Sequence, residues 1–282
     1  MRGELQSFVT DSMLEPIWAA ASTLMAWQVA WAIGAAALAY LVLGLTGFGS
    51  ALIVVPLLAW HWPLAVVVPL VLLIDLPTSL LHTWLNRRQV QWHLLGHLLP
   101  GMALGALAGD ALSNTLSQGW ALGALGIYVV SVGVRGWRHQ ARSAATPPPP
   151  PAKPESGRVA WLRDTATGLA VGVVETFFGT AGPIVVAFLS QRLADVALVR
   201  ANTPPVLILA VGFALGSFAM RGHLFQALIG LAYLPMVVVA LAAVGWGHRL
   251  AVRLQGATLA RLVFALLVGS GLALTARAVR ML

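Results

Sequence analysis

A six-residue phrase occurs twice in this chain, and each copy interrupts an otherwise apolar stretch: Thr46-Gly47-Phe48-Gly49-Ser50-Ala51 and Thr176-Phe177-Phe178-Gly179-Thr180-Ala181. Both read T-x-F-G-S/T-A, 130 residues apart. Glycine tolerates backbone angles at which one helix stops and another begins. A restarting helix presents free N–H groups and the positive end of its dipole, which together bind an anion without a full counter-charge. Ser50 and Thr180 add hydroxyl donors at equivalent places. Two such breaks meeting at membrane depth would make a compact oxyanion pocket, built from Thr46, Gly47, Phe48, Gly49 and Ser50 on one side and Thr176, Phe178, Gly179 and Thr180 on the other. Phe48 and Phe178 suit a gate over that pocket or ordinary core filling. The competing reading of the glycines is close helix packing of the small-xxx-small kind. Duplication with the hydroxyl retained favours the binding site.

Ionisable residues inside apolar segments come next, because each is costly in hydrocarbon and faces a partner or a cavity. Asp75 lies well inside residues 64–84, and Glu175 immediately precedes the second break. Both are candidate proton-binding carboxylates for coupling transport to a gradient; for Asp75 the alternative is a structural ion pair or a capped kink at Pro77. Arg200 opens the segment Ala201-Asn202-Thr203-Pro204, where its guanidinium could pair two oxygens of an anion with Asn202 as an accompanying donor. The alternative is an interfacial arginine that snorkels to headgroups. His93 and His97 are four apart, a spacing compatible with metal ligation on one helix face. They follow a basic turn without acidic or cysteine neighbours, so an interfacial role is preferred and no metal or other cofactor is expected. Cysteine is absent, which excludes disulfides, thiolate metal sites and a cysteine nucleophile.

The elements that must position these residues are membrane helices. Residues 16–74 contain no Asp, Glu, Lys or Arg, a run of 59, whereas one crossing needs roughly 20 apolar residues. Further uncharged runs cover 89–109, 111–134, 201–220, 222–248 and 262–276. With 59% hydrophobic and 9% charged residues, the chain reads as an all-α, multi-pass membrane protein. Most tryptophans flank the apolar runs, as interfacial anchors do. The first 15 residues lack the basic stretch of a cleavable signal, so the first apolar segment is expected to be retained.

The net charge of +8 could suggest nucleic acid, but its distribution does not. Arg135, Arg138, Arg142, Lys153, Arg158 and Arg163 cluster in or beside one linker, which the positive-inside rule places in the cytoplasm. Residues 147–151 are five consecutive prolines, an extended spacer. The expected organisation is a first transmembrane repeat over 16–136, a basic proline-rich linker over 137–163 and a homologous second repeat over 164–282. Each repeat should contain a broken or re-entrant helix, with roughly eight or nine membrane segments in all. Residues 89–112 are expected to form one proline-interrupted helix, matching 224–246. Whether 44–60 crosses or re-enters, and hence whether the repeats are parallel or inverted, stays open.

Gly44-Leu45-Thr46-Gly47-Phe48-Gly49-Ser50, followed by Val55-Pro56-Leu57-Leu58, resembles the first glycine-rich signature of the TauE/SafE sulfite exporter family. Gly179-Thr180-Ala181-Gly182-Pro183 is similar to the motif of that family's second half, although Phe177-Phe178 stands here in place of a glycine pair. The resemblance covers almost the whole chain. It implies a secondary transporter, in the export direction, for a small sulfur-containing anion such as sulfite, thiosulfate or an organosulfonate. The alternatives are a carrier of another small organic anion, an intramembrane enzyme using Asp75, His82 and Glu175, or a channel. No Walker A pattern, H-E-x-x-H or recognisable triad is present, so ATP-driven transport and catalysis are not expected. The oligomeric state is not legible.

Overall fold

The computed structural model describes residues 26–143, 157–193, 195–222, 224, 227–251 and 257–281; the N-terminal stretch and the prolines of the linker lie outside them. Among the described residues the regular structure is helical throughout. The first half gives α1 Ala26–Thr46, α2 Ser50–Ala59, α3 Leu64–Leu85, α4 Leu99–Thr115 and α5 Gln118–Ser143. The second gives α6 Arg158–Phe178, α7 Gly182–Ser190, α8 Val196–Met220, α9 Ala227–Ala251 and α10 Ala257–Val279. Five segments, Trp27–Thr46, Leu64–Leu85, Gln118–Arg138, Val196–Met220 and Ala232–Ala251, are long and apolar enough to cross a bilayer. Among the described residues nine exposed tryptophans stand on the outer surface, whereas Trp62 is buried in the core.

α2 and α7, of 10 and 9 residues, rise only about 15 Å, half the hydrocarbon thickness. Each folds back on the helix before it. The Trp31 indole donates to the Leu57 carbonyl at 3.1 Å, and the rings of Trp27 and His61 meet edge to face, so α1 and α2 are antiparallel. Likewise Arg163 donates to Gln191 at 2.5 Å, and Arg192 pairs with Asp164, which sets the end of α7 beside the start of α6. The 44–60 segment therefore doubles back rather than crossing. α1 runs towards the face that carries the linker; α6 starts at that face and runs away from it. α2 and α7 consequently enter from opposite faces and point their N-termini at each other.

The 89–112 segment departs from expectation. Residues Arg87–Gln89 and Trp92–Leu94 form two single 3-10 turns, and the helix begins at Leu99 with Pro100 in its first turn. Proline's missing N–H is harmless there, so Pro100 starts α4 rather than interrupting it. The matching Pro235 does sit inside α9. At the other boundary α5 continues to Ser143, carrying Arg135 and Arg138 on helix rather than in a loop.

Small residues let the helix pairs approach. A Cβ on Gly101 would lie 1.9 Å from the Thr165 carbonyl, and one on Gly105 2.2 Å from the Leu169 carbonyl, so α4 rides directly on the backbone of α6. Gly44 and Gly247 play the same part between α1 and α9. Two apolar cores result. One joins α1, α2, α3, α5, α9 and α10 with the end of α6 and the outer half of α8; the other joins α4, the middle of α6, α7 and the inner half of α8.

Candidate functional site

The N-termini of α2 and α7 meet where the two cores adjoin. α1 ends at Thr46, whose hydroxyl bonds the Val42 and Phe48 carbonyls at 2.8 and 2.6 Å and so fixes the turn. The chain then passes Gly47 and Gly49 with φ of +83° and +96°. In the second half α6 ends at Phe178, and Gly179 takes φ +68°. Nothing lies within 4 Å of a Cβ built on Gly49. Glycine is needed there for its backbone conformation, not for packing.

Between the breaks lies a cavity lined by Gly49, Ser50, Asp75, Glu175, Gly179 and Thr180, with Ser79, Gly182, Pro183, Leu207 and Val211 closing it. Its free space, about 20 Å³, holds one or two waters. Two carboxylates face it, each already joined to a helix start. The Ser50 hydroxyl at the head of α2 donates to Asp75 Oδ1 at 3.0 Å. The Ala181 N–H at the head of α7 donates to Glu175 Oε2 at 2.7 Å. An internal carboxylate thus occupies the place at each helix terminus that a bound anion would take. The Thr180 hydroxyl is buried in the cavity without a hydrogen-bond partner, a donor that a ligand can use.

The remaining expected site residues are distributed around this centre. Phe48 closes against Gly182. Phe178 is buried and stacks on Tyr128, whose hydroxyl donates to the Thr180 carbonyl at 2.9 Å. Thr176 lines a separate crevice of about 240 Å³ with Phe177, Pro63, Ser113 and Phe218, on the face opposite the linker. Asn202 is fully engaged elsewhere: its amide accepts from Gln91 N at 2.6 Å and donates to the Gln89 and Leu198 carbonyls, pinning the turn after α3 to α8. Arg200 does not line the cavity. It lies behind the first break, where its Nη2 donates to the Gly44 carbonyl at 2.8 Å. His97 is exposed and contacts Asp164.

Several lining residues were not singled out from the sequence. Ser79, Leu207 and Val211 complete the wall, and behind it Tyr40, fully buried on α1, donates to the Val71 carbonyl at 3.5 Å with its hydroxyl also towards Asp75. Ser79 had a legible signal, four residues after Asp75 and hence on the same helix face.

The family model for Sulfite exporter TauE/SafE matches residues 32–274. A curated relative, described as "Probable inner membrane transporter protein TsaS" from Comamonas testosteroni, is 39% identical over 206 residues, covering 73% of this chain and 81% of the relative. No solved structure matches the chain. With the family model spanning most of its length and the helices long and apolar enough to cross a bilayer, the chain belongs to the TauE/SafE sulfite exporter family and is a multi-pass inner-membrane transporter.

Proposed function

We propose that this protein is a secondary carrier that exports a small sulfur-containing anion, such as sulfite, thiosulfate or an organosulfonate, binding it between the breaks at Gly49 and Gly179. The observation that carries the reading is the convergence of the two helix starts, the Ser50 and Thr180 hydroxyls and the Asp75 and Glu175 carboxylates on one cavity. A sulfur oxyanion needs donors to several oxygens, and helix N-termini with hydroxyls supply them. It cannot share the cavity with two ionised carboxylates, because like charges lining one small cavity in a low-dielectric interior repel strongly. Protonation of Glu175 would release the Ala181 N–H, and protonation of Asp75 the Ser50 hydroxyl, to the incoming anion. Proton and anion binding are thereby coupled through the same donors.

α1–α2 and α6–α7 are read as corresponding parts of inverted repeats. Alternating access then consists of one hairpin body rocking against the other around a fixed site. The crevice beside Thr176 and Phe177 is the exit on the face opposite the linker, and the linker face is cytoplasmic, in keeping with Arg87 and Arg88 at the end of α3. The small volume of the cavity belongs to an occluded conformation.

Uptake into proteoliposomes of sulfite, thiosulfate, taurine, sulfoacetate and acetate, with and without an imposed pH gradient, tests this function. Saturable movement of a sulfur anion, accelerated by the gradient and not inhibited by acetate, is expected. Movement of acetate in preference to every sulfur anion would make this a carrier of another organic anion, and chemical turnover in detergent would make it an enzyme.

A further inference from the structure

We infer that His82, Arg200 and His248 form a second anion site, a station on the linker face through which a small sulfur oxyanion passes to the central cavity; this rests on the anion-carrier reading above. The three side chains come from α3, α8 and α9, so the site exists only in the folded bundle. Arg200 Nη2 lies 3.4 Å from His248 Nδ1, and the rings of His82 and His248 stand perpendicular with centroids 6.0 Å apart. The Gly44 carbonyl at the end of α1, which accepts from Arg200, also faces His82.

Two observations point to a missing ligand. His82 is fully buried, its Nδ1 is near Asn86 at 3.3 Å, its ring faces the Gly44 carbonyl, and its Nε2 makes no hydrogen bond of good geometry. The Arg200 Nε is likewise buried without one. Among the described residues no carboxylate pairs with the cluster: Asp110 pairs with Arg221, Asp164 with Arg192 and His97, and Asp195 caps α8 through Ala197 N. Buried polar atoms normally find partners, and Arg200 is half-buried with its Nε inaccessible to solvent. Capping of the α1 carboxyl end uses one nitrogen of Arg200 and leaves the rest of the fork, whose planar geometry suits two oxygens of one oxyanion.

Position supports a station rather than a second centre. On α3, Asp75, Ser79 and His82 are spaced i, i+4, i+7, one face of the helix. On α8, Arg200 and Leu207 are seven residues apart and share a face in the same way. Both helices therefore place the cluster towards the linker face, two turns, about 10 Å, beyond Asp75 and Leu207, and Ser79, which lines the cavity wall, is the step between them. His248 is part-exposed and opens the cluster to solvent. Gly47 of the first break seats it: a Cβ there would fall 2.5 Å from the Arg200 carbonyl and 2.8 Å from its Cγ. A change in the break on opening or closing is thus felt directly by the arginine.

The test uses the purified full chain and thiosulfate as the probe. Saturable thermal stabilisation by thiosulfate is expected in the wild type and to persist in the cavity variant Ser50→Ala/Thr180→Ala, and in that background its half-saturation should rise at least tenfold when His82→Gln or Arg200→Gln is added. His248→Gln, at a more exposed position, keeps the test open should either of those fail to fold. In oriented vesicles the same substitutions should raise half-saturation about tenfold from the linker face and less than twofold from the other. Stabilisation abolished by the cavity variant but untouched by all three cluster variants would overturn the second site, as would equal shifts from both faces. The binding arm reads this site even where no transport of thiosulfate is found, so failure of the carrier reading is recognised separately.

Discussion

Glu175 and Asp75 hold the two helix starts of the cavity, and their removal should separate coupling from binding. Glu175→Gln keeps an acceptor oxygen for the Ala181 N–H but cannot exchange a proton. Thiosulfate exchange should persist in this variant, while acceleration by an imposed pH gradient falls at least tenfold, as read by proteoliposome uptake at matched and unmatched pH. Retained acceleration would assign coupling elsewhere. The two threonines of the repeated phrase make a sharper contrast. Both hydroxyls are buried without a hydrogen-bond partner, but Thr180 lines the cavity whereas Thr176 lines the outer crevice. A hydrogen bond to a charged ligand contributes roughly 1.5–3 kcal/mol. Thr180→Ala should therefore raise the half-saturation for substrate about tenfold or more, and Thr176→Ala less than threefold. Substrate titration of both variants checks this; equal effects would mean that the cavity is misplaced. The sequence made these two residues equivalent because spacing alone cannot show that successive residues at a helix end face different spaces.

At the scale of elements, glycine serves two distinct purposes, and substitution should tell them apart. At Gly49 the space is open but the backbone is left-handed, a conformation that costs a residue with a side chain about 1–2 kcal/mol. At Gly101 the backbone is ordinary helix, but a Cβ would overlap the Thr165 carbonyl, so α4 and α6 must separate, at a cost of about 1–3 kcal/mol or more. Gly101→Ala should lower the thermal midpoint of the purified protein more than Gly49→Ala, while Gly49→Ala should lose more transport per folded molecule. The reverse ranking in unfolding and uptake measurements would refute the division. These roles explain what was and was not legible. The repeated phrase, Asp75 and Glu175 stood out because polar and glycine residues are rare in uncharged runs. The 3-10 turns before α4 did not, because the apolar pattern continues through them and Pro100 reads equally as a kink or a helix start. Arg200 stood out as a cation at the head of an apolar segment, but its place beside the first break rather than in the cavity wall depends on the packing of α8 against α1, and the Asn202 amide secures a turn.

For the whole molecule, two short helices enter from opposite faces and meet at the centre, and the described surface carries the apolar side chains that a bilayer covers. The proposed rocking motion exposes the cavity to one side at a time. The chain contains no cysteine, so single cysteines report accessibility without background. Ser79→Cys, in the cavity wall, should react with a membrane-impermeant thiol reagent from one face only in any given state. Addition of thiosulfate should change its rate at least threefold, in opposite directions from the two faces. Simultaneous reaction from both faces would describe a channel.

Counterflow is the most direct measurement of the central claim. Proteoliposomes loaded with excess unlabelled thiosulfate are placed in trace labelled thiosulfate, and internal label is followed with time. A carrier binding a sulfur anion between the breaks at Gly49 and Gly179 predicts transient accumulation of label above equilibrium, abolished by external sulfite but not by acetate and strongly reduced in Ser50→Ala/Thr180→Ala. Label that merely equilibrates, or accumulates equally well in that variant, would contradict the account.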